Sequence, residues 1–111
     1  MVRVSKAARL TNNAVAGAAE EIYTVTSGEG TEFVLTDITI GNEHASSNIG
    51  VFLVESATST TTVYGPVFAN ATGTTAITDI KNGPRFTSAV YAYANTAPST
   101  AITVCIGGEL E

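Results

Sequence analysis

Thirty-seven of the 111 residues branch at Cβ (18 Thr, 11 Val and 8 Ile), and they fall in short runs cut by Gly, Pro, Asn and Asp. Branched side chains lose χ1 freedom against the preceding turn of a helix but fill the pleated surface of a sheet. With only 4 Leu to set against them, this is a chain of strands. The runs occupy residues 22–26, 31–40, 49–55, 61–68, 74–80, 86–94 and 101–106. None is long enough to bury its own apolar face, and 111 residues supply one core. Seven to eight strands at this spacing predict an all-β fold, a single two-sheet antiparallel β-sandwich or jelly roll.

Side-chain parity adds detail. Phe33 and Leu35 share one face of their run while Ile38 and Ile40 have the opposite parity. The inward face therefore changes near Thr36-Asp37, through a bulge or a strand buried on both faces. Val51 and Leu53 alternate with Phe52 and Val54, so residues 49–55 read as a central strand. The tight Ser27-Gly28-Glu29-Gly30 connection predicts a hairpin between runs 22–26 and 31–40. Before residue 21 the pattern fades: Ala14, Ala16, Ala18 and Ala19 favour a helical turn, whereas Asn12-Asn13 and Gly17 oppose a longer one. This predicts an N-terminal arm over residues 1–20 and a sandwich over 21–111.

The net charge of −5 is uneven. Arg3, Lys6 and Arg9 stand in the first nine residues without an acid, leaving Lys81 and Arg85 against all ten carboxylates, a balance of −8. Such an acidic body argues against a nucleic-acid partner, because phosphate binding needs a clustered basic face. The basic arm suits an acidic surface on a partner subunit, with Val2, Arg3, Val4, Lys6, Arg9 and Leu10 as candidate partner-binding residues. On this reading, removing residues 1–10 leaves the sandwich folded. The single Cys forms no intrachain disulfide, and the N-terminal residues lack the apolar run of a secretory leader. No stretch reaches the roughly 20 apolar residues of a membrane span. A chain made and kept in the cytoplasm, without membrane contact, is expected.

Groups that carry chemistry are sparse. His44 and Cys105 cannot furnish a structural zinc set, and no Gly-x-Ser-x-Gly elbow accompanies His44. Cys105 lies between Val104 and Ile106 and reads as a small buried hydrophobe. Asp37 with Asp79, and Glu29 with Glu32, lack calcium-loop spacing and read as strand-end or turn residues. Tyr23, Tyr64, Tyr91 and Tyr93 could form a sugar-stacking platform, although core or interface packing is the simpler use. No catalytic residue, metal site or cofactor is expected.

Ile22-Tyr23-Thr24-Val25, a glycine turn, Thr36-Asp37-Ile38-Thr39-Ile40-Gly41-Asn42 and Val51-Phe52-Leu53-Val54 together form a pattern that resembles small tailed-bacteriophage virion proteins. The closing run that ends Gly107-Gly108-Glu109 resembles the end of the same group, so the likeness spans residues 22–109. It departs at Thr26-Ser27, where many such proteins carry Pro. The resemblance implies a small, oligomeric, non-catalytic virion protein. The first choice is a capsid decoration (cement) protein that binds the outside of the head shell through the major capsid protein, with a homotrimer favoured. A neck or tail accessory protein comes second. A carbohydrate-binding or adhesive module on the same sandwich is the competing class.

Overall fold

The computed structural model describes residues 2–11, 14–25, 30–95 and 101–111. These residues form nine strands: β1 (Val2–Arg9), β2 (Glu20–Thr24), β3 (Phe33–Asn42), β4 (Ile49–Val54), β5 (Tyr64–Ala69), β6 (Thr74–Ile77), β7 (Arg85–Phe86), β8 (Ala89–Ala94) and β9 (Ile102–Leu110). One sheet, here sheet A, runs β1-β9-β3-β6, with β7 also on β3. The other, sheet B, runs β2-β8-β4-β5. All pairings are antiparallel.

The order follows from rolling up one long hairpin. Its apex joins β4 to β5, and further out β3 meets β6, β2 meets β8, and β1 meets β9. These pairs fall alternately in sheets B, A, B and A, which is jelly-roll winding. The ninth strand comes from an interruption: β6 lies on residues 38–41 of β3 and β7 on Phe33 and Val34. The two share one strand position, split by residues 78–84. The amide of Ile80 on Thr36 O (2.9 Å) and that of Leu35 on Pro84 O (3.0 Å) tie the split to β3.

The split sits beside a bulge. Along β3 and β9, Leu35 faces Gly108 and Asp37 faces Gly107, leaving Thr36 as the extra residue. That insertion lets Leu35 and Ile38 both point inward, as their parity required. Phe33, Leu35, Ile38 and Ile40 are all buried, and they meet Ile49, Val51 and Leu53 of sheet B in one core. Each such side chain contributes about 1.5–3 kcal/mol by burial. Two close approaches set the packing distance inside sheet A. A Cβ at Gly108 would fall 2.1 Å from Val34 O, and one at Gly83 would fall 1.9 Å from Leu35 O.

Four expectations change. Residues 1–20 are not an arm: Val2–Arg9 is a full edge strand, paired with β9 from Val2↔Leu110 to Arg9↔Thr103 without a register break. Val4 and Leu10 enter the core, so the spacing of two that joins them outweighs the charges between. Residues 14–19 form a turn and not a helical one, and strand structure resumes at Glu20. The expected hairpin of β2 and β3 is absent, since the two lie in opposite sheets. The connection proposed for it falls largely on residues 26–29, outside the described residues. Cys105 is half-buried, not buried. Ile102, Val104 and Ile106 take the inward positions, which turns Cys105 to the outer face beside Ala7 and Thr39.

Candidate interaction surface

The six residues singled out in the N-terminal segment separate by parity. Val4 and Leu10 are core residues, and the Leu10 amide bonds Ile102 O at 2.9 Å. Arg3 and Arg9 project over the outer face of sheet A. Arg3 reaches across Gly107 to Asp37, and its Nη1 donates to Thr36 Oγ1 at 2.8 Å. Arg9 Nη1 donates to Glu43 Oε1 at 2.8 Å. Val2 is 41% exposed, and Lys6, also exposed, holds its ammonium 6.0 Å from the Tyr23 ring centroid. Both arginines of β1 thus meet carboxylates of their own chain.

These pairs set the electrostatics of sheet A. The hydrogen bond from Arg3 and the amide of Asp79, which donates to Asp37 Oδ1 at 3.2 Å, hold the Asp37 carboxyl below its usual range. Asp37 and Asp79 therefore do not act as a carboxylate pair: one caps the backbone of the other, whose own carboxylate pairs with Lys81 at 2.9 Å. Arg9 lowers Glu43 in the same way. Arg85 is pushed upward by Glu111, 2.9 Å away, and by Glu32. A depression of about 340 Å³ lies beside Arg85, Glu109 and Glu111, but its cation is already engaged by these partners. Among the described residues no three His, Cys, Asp or Glu side chains converge as metal ligands.

Buried Asn42 has a structural task. Its Nδ2 donates to Ser47 O (2.8 Å) and Ala69 O (3.1 Å), while Oδ1 accepts from the His44 amide at 3.0 Å. With each polar atom partnered, its burial is tolerated, and it ties the loop after β3 to β5.

The outer face of sheet B differs from that of sheet A. In β4 and β8, Val51, Leu53, Val90, Ala92 and Ala94 face the core, so Phe52, Val54, Tyr91 and Tyr93 point away from it. They form a second apolar cluster with Ala19. Phe52 and Tyr93 stack with ring centroids 4.9 Å apart and planes 14° apart. Phe68 of the edge strand β5 is 60% exposed and lies over Gly50. No cation stands on the strands of this sheet. Its carboxylates Glu20 and Glu21, and Glu55 just beyond β4, bond to Thr11, Thr24 and Thr87 and not to a cation. The ion pairs of Arg3, Arg9, Lys81 and Arg85 all lie on the sheet A side.

Two of the four tyrosines of the expected platform are on this face. Tyr23 is buried against Phe33 at 5.5 Å, and Tyr64 packs against the main core. Parity could have revealed the face, because residues 51–54 are apolar at every position; both phases of that run needed a partner.

Comparison with models of known protein families, with characterised proteins and with solved structures returned no match.

Proposed function

We propose that this chain is a non-enzymatic structural protein of a tailed-phage virion, a decoration protein that binds the outside of the head shell as a homo-oligomer, with a trimer favoured. The observation that carries this reading is Phe68, an aromatic side chain 60% exposed on β5, the edge of sheet B. Aromatic residues concentrate at protein interfaces, and their exposure in a small domain marks a binding surface. The resemblance over residues 22–109 supplies the virion. Jelly rolls recur among viral capsid domains, a fold-level analogy that supports the same reading. Mass spectrometry of purified virions tests it. The expected result is this chain at a copy number comparable to that of the major capsid protein. A few copies per particle would assign it to the neck or tail, and absence from particles would overturn the reading.

Phe52 and Tyr91, half-buried on the outer face of sheet B, favour a second reading, a carbohydrate-binding module. A glycan array probed with the full chain separates the two, since a decoration protein leaves every glycan unbound.

A further inference from the structure

A sheet that ends at a strand leaves a row of backbone N–H and C=O groups unpaired, and folds blunt such edges by shortening them, bulging them or inserting proline. Three of the four edges of this sandwich are treated so. β2 has five residues and a register break between Glu21 and Tyr23. β5 carries Pro66, and the last position of sheet A is divided between β6, of four residues, and β7, of two. β1 is the exception, with eight residues and neither proline nor bulge. The Leu10 amide bonds Ile102 O, and antiparallel strands exchange bonds at alternate residues. The even-numbered residues of β1 therefore face β9, while Arg3, Ser5, Ala7 and Arg9 turn their N–H and C=O outward. All four are exposed, and among the described residues nothing bonds these outward groups.

We propose that this edge receives an extended segment of another protein as an added strand of sheet A, and that the segment carries a carboxylate opposite Lys6. Among the described residues Lys6 has no carboxylate partner, its ammonium lying 6.0 Å from the Tyr23 ring centroid. Arg3 and Arg9 turn to the outer face and already hold Asp37 and Glu43. The acids of β2, the strand beside β1, are committed elsewhere. Glu20 accepts from Thr11, and Glu21, opposite outward-facing Tyr91, accepts from Thr24. A strand laid along β1 thus meets one uncompensated charge, at the middle of the edge. Opposite charges across a ladder stabilise it, and like charges directly opposite weaken it. A second copy of β1 is disfavoured on that ground. With odd-numbered residues bonding outward, the two antiparallel registers that overlap most set Ser5 against Ser5 or Ser5 against Ala7. The latter puts Lys6 opposite Lys6, and the former puts the two on a diagonal, still within reach of each other. A carboxylate at that place removes the repulsion and pairs the ammonium. Main-chain bonds then supply affinity, and one charge supplies the choice of partner.

The contact goes beyond the proposed virion role and does not depend on it. The probes are two capped peptides, Thr-Val-Thr-Glu-Thr-Val-Thr and the same with Lys in place of Glu, titrated into the isotope-labelled full chain and followed by amide NMR shifts. With Glu opposite Lys6, the two Val of the peptide fall beside Val4 and Ala8. The Glu peptide is expected to bind roughly threefold tighter or more than the Lys peptide, with the shifts led by the amides of Ser5 and Ala7. Lys6→Glu, checked for cooperative melting, should invert the order, and Lys6→Gln, expected to cancel it, stands in should Lys6→Glu not fold. Ser5→Pro should abolish binding of both peptides and leave the fold intact, because the N–H it removes faces away from β9; Ala7→Pro stands in should it not fold. Equal affinity for the two peptides, an order unmoved by the Lys6 variants, no binding at millimolar peptide, or shifts in other strands with β1 unmoved would each overturn the contact. Shifts of the Ser5 and Ala7 amides with the concentration of the chain alone would assign the edge to a second copy and overturn it too.

Discussion

The ring of Phe68 lies directly over Gly50 of the neighbouring strand, so close that a Cβ there would come within 2.8 Å of Cε1. The glycine is the floor on which the most exposed aromatic of the molecule rests. Gly50→Ala should displace the ring, which has open solvent to move into, and leave the fold cooperative. The expected outcome is self-association weakened several-fold with a melting temperature within a few degrees of wild type, read by sedimentation and calorimetry.

β1 is part of the sandwich, and its removal should show this. Leu10 is 1% exposed, and truncating a buried Leu to Ala costs about 2–5 kcal/mol. Deleting residues 1–10 removes this side chain, Val4 and the whole β1–β9 ladder together. The truncated chain is expected to lose cooperative melting, and Leu10→Ala to lower the urea midpoint while the slope stays unchanged.

Much of this architecture is legible in the sequence, and the failures have physical causes. The parity change from Leu35 to Ile38 locates the bulge at Thr36 because a bulge is local. The doubly apolar run at Val51–Val54 likewise marks β4 as central, between β5 and β8. β1 is harder to see, since Lys6 interrupts the inward series Val4, Ala8, Leu10, and three cations suggest a solvated segment. Those cations are accommodated because Arg3 and Arg9 alternate to the outer face, where Asp37 and Glu43 await them. These partners are 34 residues away, beyond any local pattern. The β2–β3 hairpin fails for a related reason: a glycine turn signals a change of direction but not whether the chain stays in its sheet.

The pair of Arg3 and Asp37 gives the fold an acid-sensitive element. Asp37 is held below the ordinary carboxylate value, so the stability it contributes is complete above that value and is lost as pH falls through the lowered one. Glu43 shifts in the same direction, but it is exposed to solvent screening and adds little. Asp37→Asn is expected to melt lower than wild type at neutral pH and to show a shallower decline below about pH 4. Melting curves across pH 2 to 7 measure this, and parallel curves for the two proteins would contradict it.

Gly108 lies against Val34 O and the Phe33 ring, with no room for a Cβ. Gly108→Ala must push β9 from β3, and overpacking of this kind costs about 1–3 kcal/mol. A urea midpoint equal to that of wild type would show that the two strands can separate without loss.

Hydrogen–deuterium exchange of the wild-type chain, at a concentration where it is monomeric and at one where it is associated, reads the assembly surface directly. Added protection on association is expected in β5 across Tyr64–Ala69, the strand that carries Phe68, with β7 unchanged. Unchanged exchange in β5, or added protection of β7 in its place, would contradict assembly through Phe68.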